Sequence, residues 1–372
     1  MDFNLSEEQE ILKKAVRDFL SDECPLSLVR EMAADEKGYP LELWNKMAGL
    51  GWQGLPFPEK YGGSGGSFLD LTVLLEEMGR ARLPGPFFST VVLGGLALLE
   101  GGTESQKMEI LPGIARGDLL LTLALTEPGV GYSPEHIRVT AEAEKDDYVI
   151  NGTKLFVPDA HIADHIVCAA RTQEDGITLF LVDGKTPGIS TTLLMPIARD
   201  KQCEVVFDKV KVPAKNILGK LHLGSELLDK VMQWAAIGKC AEMIGGAQRV
   251  LEMAVSHSKE RVQFGRTIGS LQVFQHTFAD WLYYIEGSRL ATYKAAWMLS
   301  EGIPSAKAVS IAKAFTSDAY QQITPWAQVI IGGVGFCEEH DMPHYFRQAK
   351  AAEVAFGDAD FHRELIAQQL GL

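Results

Sequence analysis

No Cys-x-x-Cys pair and no cysteine–histidine cluster occurs in this chain; Cys24, Cys168, Cys203, Cys240 and Cys337 are scattered along it. That pattern excludes a structural zinc site and fits a reducing cytosol rather than a disulfide framework. Nor is there a run of the roughly 18 to 20 apolar residues that a membrane span requires. The acidic opening MDFNLSEEQE is not a secretory signal, so a cytoplasmic protein is expected. Positive charge is also short, with 35 Lys and Arg against 49 Asp and Glu and a net charge of −14. Without clustered basic residues there is no surface for nucleic-acid phosphates, although a local basic or amide-lined pocket can still hold an anionic ligand. Familiar chemistry is missing too: no GxGxxG after a strand, no GxxxxGKS/T, no HExxH and no serine in a nucleophile elbow. His222, His257, His276, His340, His344 and His362 lie in helical or loop context and read as surface or packing residues. Chemistry carried by neither a protein nucleophile nor a metal points to a bound organic cofactor.

What is present is a chain of 372 residues, long enough for two or three domains. Residues 1–118 read as helical. Ser6 and Gln9 form a capping box ahead of Ile11, Leu12, Val16, Phe19 and Leu20, which recur at helical spacing. Further helices are expected near 41–50, 69–82, 87–100 and 103–116, with the glycine-rich PEKYGGSGGS (58–67) as a loop. From 119 to 222 the texture changes to short alternating runs such as YVING, KLFVP, ITLFLV and EVVFDKVKVP. Turn residues at Asp146-Asp147, Asn151-Gly152 and Pro187-Gly188 separate them, which predicts an antiparallel β-barrel or sandwich. Helical periodicity returns over 223–372, with long segments near 224–259, 268–300 and 304–331. GGVGF (332–336) is either a helix C-cap or a phosphate-binding turn. The result is an α+β chain in the order helix, strand, helix.

Several stretches read together carry a resemblance. LTLALTEPGVGYS (121–133), YVINGTKLFVPDA (148–160), KERVQFGRTIGSLQVFQH (259–276) and IIGGVGFCEEHDMPHYFRQAKAAEVAFGD (330–358) resemble segments of the acyl-CoA dehydrogenase family, as do PEKYGGSGG, LEEMGRA, GTESQKMEILPGIARGD and VFDKVKVPAKNILG. Each is weak alone, but their order and spacing together are specific and span nearly the whole chain. The resemblance implies an N-terminal helical domain, a β-domain and a C-terminal four-helix bundle. It implies FAD held between the last two, in a tetramer where each FAD also touches a neighbouring subunit. Leu125 and Thr126 would meet the flavin pyrimidine edge, and Phe156 replaces a tryptophan against the ring. Arg261, Phe264 and Gln272 would reach the ADP part of a partner's FAD, and Gly332-Gly333 would let backbone approach it. A pyrophosphate needs a cation and exposed N–H groups, which these residues can supply. The implied reaction is α,β-desaturation of an acyl-CoA thioester: a carboxylate removes the α-proton, FAD accepts hydride from the β-carbon, and an electron-transfer flavoprotein or similar acceptor reoxidises it.

The chain departs from the family where the chemistry should be. The usual base is a glutamate directly before the glycine of the C-terminal segment, and here that residue is Phe356, followed by Gly357. The alternative family position for the glutamate falls at Ala235, and Ala236 stands where an arginine is frequent. Pro158 replaces a threonine expected to donate to the flavin and has no N–H of its own. Tyr132 stands in place of a small serine, with Ser133 next, and Val329 in place of a glutamine, with Gln328 one residue away. Tyr132, Ser133, Ala235, Phe356 and Gly357 are the expected substrate-side residues. Three accounts stay open. Another acid acts as base, with Asp358, Asp159 and Glu242 as candidates, of which Asp358 is equally an FAD contact; or a related subunit of a heterotetramer supplies the base; or the reaction differs or is lost. Phe356, Ala236 and Pro158 make the pocket apolar and Ala235, Ala236 and Gly238 would widen it, so the expected thioester is bulky or cyclic. His362, Arg363 and Glu364 are expected on the solvated side of a last helix.

Overall fold

A computed structural model describes residues 4–129, 131, 136–173 and 176–372. By packing they form two compact units whose segments interleave along the chain. The first takes residues 1–29, 68–83 and 236–372, and the second takes 30–67 and 84–235.

The first unit is helical. It contains α1 (Glu7–Glu23), α4 (Phe68–Ala81), α7 (Gly224–Glu260) beyond Ala235, α8 (Gln272–Ser300), α9 (Ala306–Ile331), α10 (Met342–Val354) and α11 (Ala359–Gln369). The expected capping box opens α1: Ser6 Oγ accepts from Gln9 N while the Gln9 side chain accepts from Ser6 N. Two features fix how α1, α4, α7 and α8 pack. The first is steric. A Cβ on Gly79 of α4 would lie 2.2 Å from the Glu242 carbonyl oxygen of α7, and one on Gly245 would lie 1.8 Å from the Glu76 oxygen. The two backbones therefore touch, and only glycine allows it. The second is electrostatic. Glu76, 2% exposed, receives Lys13 Nζ of α1 at 3.0 Å, Arg289 Nε of α8 at 3.2 Å and the Tyr293 hydroxyl at 2.7 Å. Burial alone would push this carboxyl up; Arg289 and Lys13 outweigh it and hold the pKa below the ordinary value. Beneath lies an apolar cluster that includes Met243, Val250, Trp281, Ile323 and Tyr345.

The second unit surrounds a sheet of β1 (Leu121–Ala124), β2 (Thr140–Glu144), β3 (Asp147–Pro158), β4 (His165–Gln173), β5 (Gly176–Asp183), β6 (Ile189–Leu193), β7 (Gln202–Pro213) and β8 (Ile217–Leu218). Spatial order is β6-β7-β3-β2-β4-β5-β8, with β1 beside β4. Most pairs are antiparallel as expected, but β1–β4 and β2–β4 are parallel, so the sheet is mixed. Asn151-Gly152 does not end a strand; it is a register shift inside β3, which runs unbroken along β7. Period-two alternation cannot tell a bulge from a turn when both use Asn-Gly. Around the sheet lie α3 (Leu41–Gly49), α5 (Leu96–Gly101) and α6 (Glu104–Ala115), together with most of α2 (Leu26–Ala34). Residues 88–95, expected to be α-helical, form a π-helical stretch instead. No described helix is long and apolar enough to cross a membrane, and among the described residues no group of three metal-ligating side chains exists.

One expectation about α11 is corrected. Arg363 and Glu364 are exposed, but His362 is buried, 4% exposed, because it lies three residues after buried Ala359 and faces α9. Burial pushes its pKa down to about 4.

Three outcomes follow. Glu76→Gln leaves Arg289 without its buried partner and should destabilise the chain by about 3–5 kcal/mol in urea unfolding. Gly245→Ala should be comparably damaging through the steric contact alone. For His362, the folded pKa lies below the ordinary 6.5, so between those values the unfolded chain binds a proton that the folded chain refuses. Its contribution is complete above pH 6.5 and is lost as pH falls toward 4. Unfolding at pH 7 and 4.5 should therefore show His362→Gln losing about 2–3 kcal/mol less than the parent chain on acidification.

Candidate functional site

On the sheet side, the expected flavin-edge residues are held by a buried ion pair. Lys154 of β3, 0% exposed, meets Glu127, 5% exposed, with Nζ to Oε1 at 2.5 Å. The Glu127 carboxylate also accepts from the backbone N–H of Arg138 at 2.8 Å and of Val139 at 3.1 Å. Lys154 donates further to the Leu125 carbonyl at 3.1 Å, and Leu155 N donates to the Thr126 carbonyl at 2.8 Å. The segment after β1 is thus fastened along β3, so Leu125 and Thr126 sit beside Phe156 and Pro158. Phe156 lies near the end of β3. It has φ +54° and is 54% exposed, displaying its ring to solvent. The Pro158 carbonyl accepts from the Thr122 hydroxyl at 2.5 Å. Asp159 follows at φ +54°, buried, and accepts from the Ser89 hydroxyl of the π-helical stretch at 2.5 Å.

On the bundle side, Arg261 follows α7 and is exposed; its carbonyl accepts from Ile268 N at 2.8 Å. That bond closes a small hairpin of β9 (Val262–Gln263) and β10 (Arg266–Thr267). Phe264 and Gly265 form its two-residue tip, both with positive φ, as such tight hairpins require. The Phe264 ring is 88% exposed, and Gln272, also exposed, opens α8. Gly332 caps α9 with φ +80°, so the C-cap reading of GGVGF holds. A Cβ added at Gly333 would meet nothing within 4 Å, leaving that backbone open. Gln328 is buried and donates to the Gly335 carbonyl at 3.3 Å, bracing the turn from inside. Hairpin base and turn rest on one core, since Ile268, Ile330 and Ile331 belong to the same cluster. An exposed arginine, an exposed aromatic and open glycine backbone suit an anionic, planar-ringed cofactor such as FAD.

At the C-terminal turn, Phe356 has φ +59° and Gly357 φ +97°. A side chain on Gly357 would strike Phe361 Cδ1 at 2.5 Å and His362 Nε2 at 2.8 Å. The reserve acids are all engaged elsewhere. Asp358 caps α11, its Oδ1 accepting from Phe361 N at 2.8 Å. Glu242 pairs with Lys239 at 2.5 Å and packs its backbone on Gly79. Ala235 and Ala236 are buried, 0% and 1% exposed. Tyr132 and Ser133 lie outside the described residues. Two residues near this turn escaped the sequence reading. Lys313 of α9 is fully buried, and Ser310 meets His362. The available signal was register: Lys313 follows Val309 by four residues and precedes Thr316 by three, on the helix face whose other residues are buried.

The whole length of the chain has relatives of one kind. Family models for the acyl-CoA dehydrogenase N-terminal, middle and C-terminal domains match residues 6–118, 122–210 and 223–371. Butyryl-CoA dehydrogenase from Megasphaera elsdenii is similar in structure, with a TM-score of 0.92, 32% identity and complete coverage of both chains. A chain of the ChsE4-ChsE5 complex from Mycobacterium tuberculosis superposes with a TM-score of 0.93 at 27% identity, covering 100% of this chain and 99% of that one. The caffeyl-CoA reductase-Etf complex subunit CarC of Acetobacterium woodii is 31% identical over 375 residues, 98% of each chain. With the helical segments, the sheet and the C-terminal turn all matched in order, the chain belongs to the acyl-CoA dehydrogenase family.

Proposed function

We propose that this chain is an FAD-binding subunit of an acyl-CoA dehydrogenase assembly that desaturates a CoA thioester between its α and β carbons, with the proton-abstracting carboxylate supplied by a related second subunit. The observation that carries this reading is Phe356, an aromatic ring in the position before Gly357, with Asp358, Asp159 and Glu242 each already engaged. A base must lie within hydrogen-bond reach of the proton it removes and be unprotonated when it acts. Asp358 would give up a helix cap to serve, worth about 1 kcal/mol, and Asp159 would give up a buried hydroxyl bond. The likeness to a chain of a two-protein complex supports the paired arrangement, and the likeness to a subunit of a reductase-Etf complex supports an electron-transfer flavoprotein as acceptor.

In this reading FAD accepts hydride from the β-carbon. Leu125, Thr126, Phe156 and Pro158 border the flavin, while Arg261, Phe264, Gln272 and the Gly332-Gly333 backbone take the ADP part in a tetrameric assembly. Phe356 and Gly357 line the acyl side, and the substitutions at Phe356 and Pro158 favour a bulky or cyclic apolar acyl group. The segments 1–118, 119–222 and 223–372 would act as helical, sheet and bundle domains of a cytoplasmic protein. The second reading, a self-contained enzyme with a relocated base, rests on Asp358, Asp159 and Glu242.

Purified chain should take up FAD and turn yellow, and Arg261→Ala should weaken that binding about 10- to 100-fold by equilibrium dialysis, the loss expected for one charge-assisted hydrogen bond. Acyl-CoA added to the FAD-loaded chain alone should leave the flavin absorbance unbleached. Co-expression with a related subunit carrying glutamate in the vacant position should restore bleaching, faster with cyclohexanecarboxyl-CoA than with butyryl-CoA. Bleaching by the chain alone would establish the self-contained enzyme instead.

A further inference from the structure

The turn between α10 and α11 is held more firmly than a connector requires. α10 ends without a glycine cap, Ala355 standing at φ −69° and ψ 129°. Its last carbonyls, which a helix end leaves without partners, are taken by one buried cation. Lys313 Nζ donates to the carbonyls of Ala352 at 3.3 Å, Glu353 at 2.9 Å and Gly357 at 2.7 Å, and to the Ser317 hydroxyl at 3.1 Å. All four acceptors are neutral, and the negative end of the α10 dipole supplies the counter-charge. Burial lowers the Lys313 pKa to about 8; Cys240 opposes this, Lys239 adds to it, and Asp358 and Glu353 oppose it further. The ammonium therefore keeps its proton at neutral pH.

His362 grips the same turn from α11. Its Nε2 lies 3.0 Å from the Phe356 carbonyl and its Nδ1 lies 3.2 Å from Ser310 Oγ. A carbonyl only accepts, so Nε2 carries the hydrogen and Nδ1 accepts from the Ser310 hydroxyl. Between the two grips Phe356 occupies φ +59°, a conformation that costs a bulky residue roughly 1–2 kcal/mol. Such strain persists only where surrounding bonds over-determine it.

We propose that Lys313 and His362 are positioning residues that hold Phe356 in its left-handed conformation and so set the wall this turn presents to the acyl thioester. The link to the thioester rests on the reading above, in which residue 356 borders the acyl group; the clamp itself does not. The two parts separate in one experiment on the FAD-loaded chain, using Lys313→Met, His362→Gln and Ser310→Ala. Amide hydrogen exchange read by mass spectrometry should show peptides covering 352–362 opening about tenfold faster in each of the first two variants, the effect of one lost hydrogen bond. Peptides from α8 and the sheet should be unchanged. Ser310→Ala leaves the lysine in place, should give a smaller change in the same peptides, and decides the matter if Lys313→Met does not fold. Unchanged exchange at 352–362, or acceleration spread over the whole chain, would overturn the clamp. Titration of the bound flavin's spectrum with cyclohexanecarboxyl-CoA should show weaker binding in the variants. Equal affinity despite a loosened turn would overturn the link to the acyl wall. A parent chain that answers no CoA thioester would sink the functional reading instead, while the exchange data still judge the clamp.

Discussion

Glu76 is the charge on which the helical unit depends. Three stretches far apart in sequence, α1, α4 and the C-terminal bundle, meet at one buried carboxylate that Lys13, Arg289 and Tyr293 satisfy together. The close approach of α4 and α7 brings this about, because Gly79 and Gly245 let backbone rest on backbone. That approach puts residue 76 deep inside, where a lone carboxylate would cost several kcal/mol. The charge is tolerable only while α1 and α8 deliver their cations. Packing and electrostatics therefore specify the same arrangement, and neither is satisfied if one helix shifts register. Arg17 with Glu77 and Arg80 with Glu252 repeat the device on either side.

The same logic recurs at both places where the chain meets its proposed ligands. Lys154 and Glu127 are buried in the sheet and fasten the segment carrying Leu125 and Thr126. Lys313 is buried in the bundle and fastens the turn carrying Phe356 and Gly357. Lys154 pairs with the Glu127 carboxylate and also takes the Leu125 carbonyl, whereas Lys313 takes the last carbonyls of α10 and that of Gly357, groups that no helix or strand ladder otherwise satisfies. An apolar residue of the same volume would pack as well but leave those carbonyls unpartnered. Buried lysines here give conformational definition to loops.

Much of this was legible in the residues. Periodicity gave α8 and α9 nearly to their ends, and Ser6 with Gln9 marked the start of α1, because those signals are local. The order of motifs identified the family. Tertiary context hid the rest. Asn151-Gly152 reads as a turn until β7 is alongside to show a bulge. His362 looked solvated among Asp360, Arg363 and Glu364, yet only one face of α11 meets α9, and the histidine is on it. Lys313 sits among small and apolar residues at core spacing, a contradiction that becomes informative only once its acceptors, some forty residues away in sequence, are seen.

A buried lysine and an oriented histidine grip the turn at residue 356, whose side chain cannot take a proton. Were the position idle, nothing would favour a strained aromatic over the glycine, asparagine or aspartate that left-handed backbone accepts more readily. Nor would a fully buried lysine and an oriented, neutral histidine be needed to secure it, since a simple connector between two helices requires neither. Strain that is actively held belongs to a surface whose shape matters. A phenyl ring offers shape and apolar contact rather than chemistry. In the proposed assembly that is a coherent division: this chain shapes the acyl side and its flavin cradle, and the proton leaves through a carboxylate that another chain brings.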